Sequence, residues 1–401
     1  MAHIEALVKP HMLKWIREKS GFDLFSAAKR IGIKPERLQE WETGSRKPTI
    51  KQAIKMAEIY KRPLSLFYLN EPPKDFHVAM KDFRTLPPGL PGTYSPALLL
   101  EHRSAVSRRN LVMDLVGEST SSDFPFLGKV SLESDPEQVG QNLRQLLNIN
   151  WKTQKKWKYE SEALNCWRES IENLKVLVFH TNHQGNTVEL EEARGFSISE
   201  PRFPVIVLNS RDSNSGRVFT LLHELVHLML NEGGVCDCRE HAAGGQMRQV
   251  EIFCNHTAGA VLVPGDTLMK HEVVIEHRVR GKRFQWEDGE IEALSSDFSV
   301  SNEVLLRRLL IFGLTSQRFY QSKRKEYLER WERIKKEGQK KGHPPHYRMK
   351  LRQLGKPFAR TVFTAYYDRK ITLSDVMDYI GVKTSVLKKM ELAAYSAIMG
   401  A

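Results

Sequence analysis

The chain has 401 residues, 41% hydrophobic and 27% charged, which excludes a disordered or fibrous protein and leaves length for two to four domains of about 100–200 residues. No run approaches the roughly 18 apolar residues of a membrane span, and the N-terminus MAHIEALVKPHMLKW has no basic segment leading into an apolar one. Four cysteines are too few for a disulfide framework, so a cytoplasmic protein is expected. The formal charge of +13 points to an anionic partner, nucleic acid first.

In chain order, four short helices are predicted first: about His11 to Arg17, Leu24 to Ile31, Pro35 to Glu42 and Ile50 to Tyr60. Pro35 suits a helix start because its missing amide would have no partner there, and Gly32 and Gly44 supply the stops. Two helices joined by the short turn Gly32-Ile33-Lys34 form a helix-turn-helix pattern. Residues 1–70 hold 14 Lys and Arg against 7 Asp and Glu. Arg37 and Gln39 are placed to reach base edges, with Lys34, Arg46, Lys47 and Lys51 at the phosphate rim. Glu36 and Glu40 on the same helix oppose that use.

Short β-branched runs predict strands at Lys175–His180 and Phe203–Asn209. The second is the expected edge strand for an extended substrate. Phe219 to Leu230 reads FTLLHELVHLML, an apolar helix carrying HExxH. His223 and His227 project from one helix face, close enough to share a metal, and Glu224 is placed as general base. The metzincin continuation fails, because Leu230 and Gly233 stand where its glycine and histidine belong. Glu240, His241, Glu251, His256 and the pair Cys236/Cys238 remain as third-ligand candidates. Glu251 is favoured, because it opens a second apolar helix, VEIFCNHTAGAVLVP, twenty-odd residues on. Asn255, one turn further, would face the same site, and His241, His256 or a tyrosine would supply an additional donor.

Residues 317–353 carry 13 Lys and Arg against 4 Asp and Glu and predict a long solvated helix. Three stretches share spacing and apolar positions: Ile31–Glu42, Phe298–Leu309 and Ile380–Glu391. Each reads as the turn and second helix of a helix-turn-helix-like unit.

The block GFSISEPRFPVIVLNSRDSNSGRVFTLLHELVHLML with the later VEIFCNHTAGAVLVP resembles the ImmA/IrrE family of zinc metallo-endopeptidases. WETGSRKPTIKQAIKMAEIYKRPLSLFYLNEPP resembles the XRE-type helix-turn-helix fused ahead of it. KDFRTLP, Ile291–Leu314 and Gly355–Lys383 extend the resemblance over nearly the whole chain. It implies an α+β protein with an all-α N-terminal domain (1–73), a helical connecting region (74–150) and a zincin-like metallopeptidase domain with a small sheet (151–275). A helix-turn-helix-like subdomain (276–325) and a basic linker with a C-terminal helical region (326–401) would follow. It further implies Zn2+ held by His223, His227 and Glu251, Glu224 as base, and a protein substrate, an XRE-type repressor, cleaved to control a stress-response or mobile-element operon. The partners expected are operator DNA and a cognate toxin, with no membrane. The alternative is a non-proteolytic DNA-binding regulator or antitoxin with a structural zinc site.

Overall fold

The computed structural model describes residues 4–73, 81–82, 94–117, 124–182, 187–236, 246–281, 284–337 and 345–396. The chain divides into two compact units. The first comprises Met1–Met80, Pro87–Ser107 and Asn182–Val188, and the second Lys81–Leu86, Arg108–Thr181 and Glu189–Ala401.

The first unit holds α1 (Pro10–Lys19), α2 (Leu24–Ile31), α3 (Pro35–Thr43) and α4 (Ile50–Tyr60), closed by a 3-10 turn over Leu64–Tyr68. Local chemistry sets these bounds. The Asp23 side chain accepts from the Ser26 amide at the start of α2, and Gly32 ends it in the left-handed region at φ 81°. Thr49 and Gln52 form a reciprocal capping box on α4. Met12, Leu13, Ile16, Leu38, Trp41 and Met56 form the core. Within it Arg17 Nε donates to Glu42 Oε1 at 2.7 Å, tying α1 to α3. Helix α5 (Pro96–Val116) begins in the first unit and ends in the second.

The second unit is built on a five-stranded sheet: β1 (Lys81–Asp82), β2 (Leu177–His180), β3 (Gly195–Ile198), β4 (Val205–Leu208) and β5 (Gly234–Cys236). The order is β1-β5-β3-β4-β2. β2 with β4 and β1 with β5 are parallel, whereas β3 runs antiparallel to both of its neighbours. The expected substrate-pairing edge over Phe203–Asn209 is corrected here. Its core, β4, lies between β2 and β3 and is buried throughout, as a continuous Val-Ile-Val-Leu run demands.

Helices α6 (Pro136–Leu146), α7 (Trp151–Gln154) and α8 (Glu160–Glu172) lie between β1 and β2 in the chain; α9 (Asn214–Leu230) and α10 (Gln246–Leu262) follow β4 and β5. Helix α9 packs on β3 and β4, with α8 and α10 against it and α6 against α10. Leu221, Leu222, Leu225, Val226 and Leu228 of α9 share one core with Trp167, Val178, Ile206 and Val261. Truncating such a leucine to alanine costs about 2–5 kcal/mol.

Helices α11 (Gly265–Met269), α12 (Glu272–Val279), α13 (Asp288–Asp297), α14 (Asn302–Ile311) and α15 (Gln317–Glu337) come next; α16 (His346–Leu354), α17 (Lys356–Tyr367), α18 (Leu373–Ile380) and α19 (Thr384–Tyr395) complete the chain. The architecture is α+β: an all-α N-terminal part, a central domain around a small sheet and a helical C-terminal region. Among the described residues no helix is long and apolar enough to cross a membrane.

Candidate metal centre and DNA-binding face

Helix α9 starts at Ser213, whose side chain accepts from the Gly216 amide, and stops at Asn231 in the left-handed conformation. Its first turn is anchored by Arg217, whose Nη1 lies 3.2 Å from His180 Nδ1 at the end of β2. Burial pulls the Arg217 guanidinium down to about 10. Two turns later His223 and His227 leave the same helix face and point toward α10.

His223, Glu224, His227 and Glu251 are each at most 1% exposed. The Nε2 atoms of His223 and His227 are 3.0 Å apart. Glu251, near the start of α10, brings Oε1 to 3.1 Å from His227 Nε2 and Oε2 to 3.4 Å from His223 Nε2. Burial pushes the Glu251 carboxyl up, but the two imidazoles outweigh it and hold the group well below the usual carboxylate range.

These residues fit a metal. Three donor atoms converge within 4.8 Å of one another in a buried site. Tetrahedral bonds of about 2.0–2.1 Å to nitrogen and oxygen put neighbouring ligands about 3.3 Å apart. The observed separations of 3.0, 3.1 and 3.4 Å match that spacing. Two imidazoles and one carboxylate are also the donor types that zinc takes in three-ligand sites.

Glu224 sits on the sheet side of α9. A Cβ built on Gly195 of β3 would come 3.5 Å from Glu224 Oε1 and 2.6 Å from Thr220 Cγ2, so α9 rests directly on the glycine. Asn255 lies one turn beyond Glu251 and is 1% exposed, and neither end of its amide finds a hydrogen-bond partner among the described residues.

The other candidates go elsewhere. His256 donates from Nε2 to Glu137 Oε1 at 2.8 Å, and the same carboxylate takes a bidentate pair from the buried Arg308 at 2.6 and 2.7 Å. Five residues turn a helix through about 500°, so His256 cannot share the face of Glu251. Its expected role as a donor to the site is therefore corrected to a structural one. Glu240, His241 and Cys238 lie outside the described residues, as do LPPGLPG and most of KDFRTLP. Cys236 closes β5, opposite Gly195. Cys254 is buried on α10; Cys166 is half-buried on α8, its thiol pushed up to about 11 by burial.

The ion-pair network joining α6, α10 and α14 through Glu137, His256 and Arg308 was not anticipated, nor was the Arg217–His180 contact. Only the neutral spacing of α-helical faces could have hinted at the first.

In the first unit Lys34, Arg37, Gln39, Arg46, Lys47 and Lys51 are all exposed. Glu40 lies 3.5 Å from Arg37 and 3.6 Å from Arg46, so the acid expected to oppose DNA contact draws two of the cations onto itself. Lys47 stands 3.9 Å from Glu5.

No curated protein matches the chain. Residues 171–310 match the model of the IrrE N-terminal-like domain, Peptidase_M78, and residues 13–67 match that of a helix-turn-helix, HTH_3. The first match spans β2 through α14 and contains HExxH and Glu251; the second spans α1 to the 3-10 turn. Residues 171–310 thus match an M78 metallopeptidase-like domain, carried behind a match to a helix-turn-helix of the XRE type at 13–67, the arrangement that the ImmA/IrrE resemblance implies.

Proposed function

We propose that this chain is a regulatory zinc endopeptidase that cleaves an XRE-type repressor, with its N-terminal helix-turn-helix bringing it to operator DNA. The observation that carries the reading is the buried convergence of His223, His227 and Glu251 at tetrahedral ligand spacing. A zinc ion supplies Lewis acidity toward a peptide carbonyl and lowers the pKa of water in its open position. His223, His227 and Glu251 would hold the ion. Glu224, on the same helix, accepts the proton of the attacking water and delivers it to the leaving amine nitrogen, which leaves the carboxylate unchanged after each turnover. Asn255, buried one turn beyond Glu251 on α10, would face the same site. Lys34, Arg46, Lys47 and Lys51 contact phosphates, and Arg37 and Gln39 reach base edges.

A second reading has its own support. Glu224 and the three ligands are almost completely buried, which suits a zinc that only braces α9 to α10 in a non-proteolytic regulator or antitoxin.

One set of variants separates the two. Elemental mass spectrometry on the wild type is expected to find near one zinc per chain, and much less in Glu251→Ala. Glu224→Gln should keep the zinc and lose cleavage of the XRE-type repressors encoded beside it, by about 10²–10⁴-fold. Cleavage retained in Glu224→Gln would falsify the mechanism. Zinc in both proteins with cleavage in neither leaves the regulator reading standing.

A further inference from the structure

The helix-turn-helix of the first unit has a counterpart at the other end of the chain. Helix α18 has eight residues, as α2 does, and each closes on Ile-Gly with the glycine left-handed: φ 81° at Gly32 and 71° at Gly381. Each begins at a side chain that caps the amide three residues on, Asp23 to Ser26 and Thr372 to Asp375. The third helices start three residues past the glycine, directly after Lys34 and Lys383. At one constant separation in sequence, buried Ala27, Ile31, Leu38 and Trp41 correspond to buried Val376, Ile380, Leu387 and Met390. The same separation carries Leu13 and Ile16 of α1 onto buried Val362 and Ala365 of α17. It also carries Glu42, which ties α3 to Arg17 of the first helix, onto Glu391, which accepts from Tyr367 Oη of α17 at 2.6 Å.

A third stretch with this pattern, α13–α14, shows what such a unit looks like when its outer face is consumed. Its turn residue Ser299 is left-handed at φ 52°. Val304, Leu305, Leu306, Arg308 and Leu309 of α14 are all buried, and Arg308 is spent on Glu137 and the Val263 carbonyl. Helix α14 packs against α10 on one side and α15 on the other.

Helix α19 is different. It buries only Leu387, Met390 and Ala394, and leaves Lys383, Thr384, Ser385, Lys388 and Lys389 in solvent. Its first turns therefore show three cations and two hydroxyls with no acid between them, where α3 shows Glu36 and Glu40. The acids nearby are mostly engaged: Asp375 in its capping box, Glu391 with Tyr367, and Asp368 at 3.8 Å from Lys370, with Asp378 of α18 remaining. Residues 345–396 carry ten Lys and Arg against four Asp and Glu.

We propose that α17–α19 form a second helix-turn-helix, and that the exposed face of α19, through Lys383, Lys388 and Lys389, docks against duplex DNA. Cations at the start of a recognition helix meet phosphates, while short polar side chains beside them reach the groove. The charge fits a polyanion: Lys388 and Lys389 stand on the outward side of α19, away from Leu387, Met390 and Ala394, with Ser385 and the exposed Leu392 between them, and Lys383 stands at the start of the helix. This inference is independent of the peptidase reading.

The test uses the full chain and fluorescence anisotropy with a short mixed-sequence DNA duplex over a salt series. Lys383→Ala/Lys388→Ala/Lys389→Ala is compared with a variant of equal charge loss on exposed positions of α15, Lys325→Ala/Arg330→Ala/Arg333→Ala. Each phosphate contact contributes about 0.9 to the slope of log affinity against log salt. The α19 variant is expected to lower that slope by about 2–3 and to weaken binding at low salt about tenfold or more. The α15 variant should change both much less, and circular dichroism melts should match the wild type. Equal losses in the two variants would reduce the effect to net charge and overturn the proposal. Unchanged binding in the α19 variant would also overturn it, leaving that face to a protein partner.

Discussion

At Gly195 the absent Cβ is what lets β3 and α9 meet. A Cβ there would stand 2.6 Å from Thr220 Cγ2 and 2.9 Å from the Val207 carbonyl oxygen. The carbonyl belongs to the β3–β4 ladder and cannot step aside. Gly195→Ala is therefore expected to cost about 1–3 kcal/mol, read as a fall in the urea midpoint at unchanged m-value. Adding Thr220→Ser, which removes the methyl, should recover part of the loss. Full stability in the single variant would show that α9 can move away from the sheet. Of the residues around the centre, HExxH was legible at once, because four-residue spacing on an apolar helix leaves little else to read. Glu251 was legible as one candidate among several; choosing it needs the fold to bring α10 against α9. Gly195 carried no signal, since a glycine at the head of a four-residue strand looks like loop.

Among the elements, α6, α10 and α14 are joined by charge as well as by packing. Burial alone would raise the Glu137 carboxyl, but His256 and the Arg308 fork bring it down from an ordinary 4.5 to about 2. A carboxylate lowered in the folded state contributes stability that is fully present above its unfolded pKa. That contribution is lost as pH falls through the folded value. Glu137→Gln should therefore reduce stability by roughly 2–3 kcal/mol at neutral pH, with the gap closing between about pH 4.5 and 2. Denaturant titrations of metal-free wild type and variant across that range measure the gap; a constant gap would place the effect in packing and not in charge.

The same elements show where local sequence decides and where it does not. Helices α2 and α4 run over the predicted residues; Gly32 stops α2 as expected, whereas α4 stops at Lys61 in the left-handed conformation. α1 runs on to Lys19 and α3 to Thr43, one or two residues past their predicted ends, and Gly44, left-handed at φ 83°, stops α3. β3 and β5 escaped notice because each is short and is held by its neighbours and not by its own propensity. β4 was found but misplaced as an edge, since strand order is a property of the whole sheet. His256 misled for a related reason: its residue type suits a site, and only the turn of α10 shows that it faces Glu137.

For the whole molecule, the two compact units have separate cores, and every metal-site residue lies in the second. A ligand that binds only the native form stabilises by an amount set by its concentration over its dissociation constant, about 4 kcal/mol at a thousandfold excess. Chelation should raise hydrogen exchange in α9 and α10 while leaving α1–α4 unchanged, as mass spectrometry peptide by peptide would show. A matching rise in α1–α4 would mean that the units fold as one.

The outer rim of β2 bears on how the protein behaves in concentrated solution. Leu177 donates to the Pro204 carbonyl on the β4 side, so Val178 between them turns outward, and its carbonyl accepts from Arg168 Nη2. That guanidinium, paired at 2.8 Å with the buried Glu172, also donates to the Arg352 carbonyl of α16, and so pins α16 as a plug over a strand that would otherwise offer itself to another copy. Replacing the pair with apolar side chains of similar volume, Arg168→Met/Glu172→Leu, should leave the folded state about as stable yet unplug the rim. The expected phenotype is colloidal: light scattering that climbs with protein concentration well below the melting temperature, in a protein whose fold is intact.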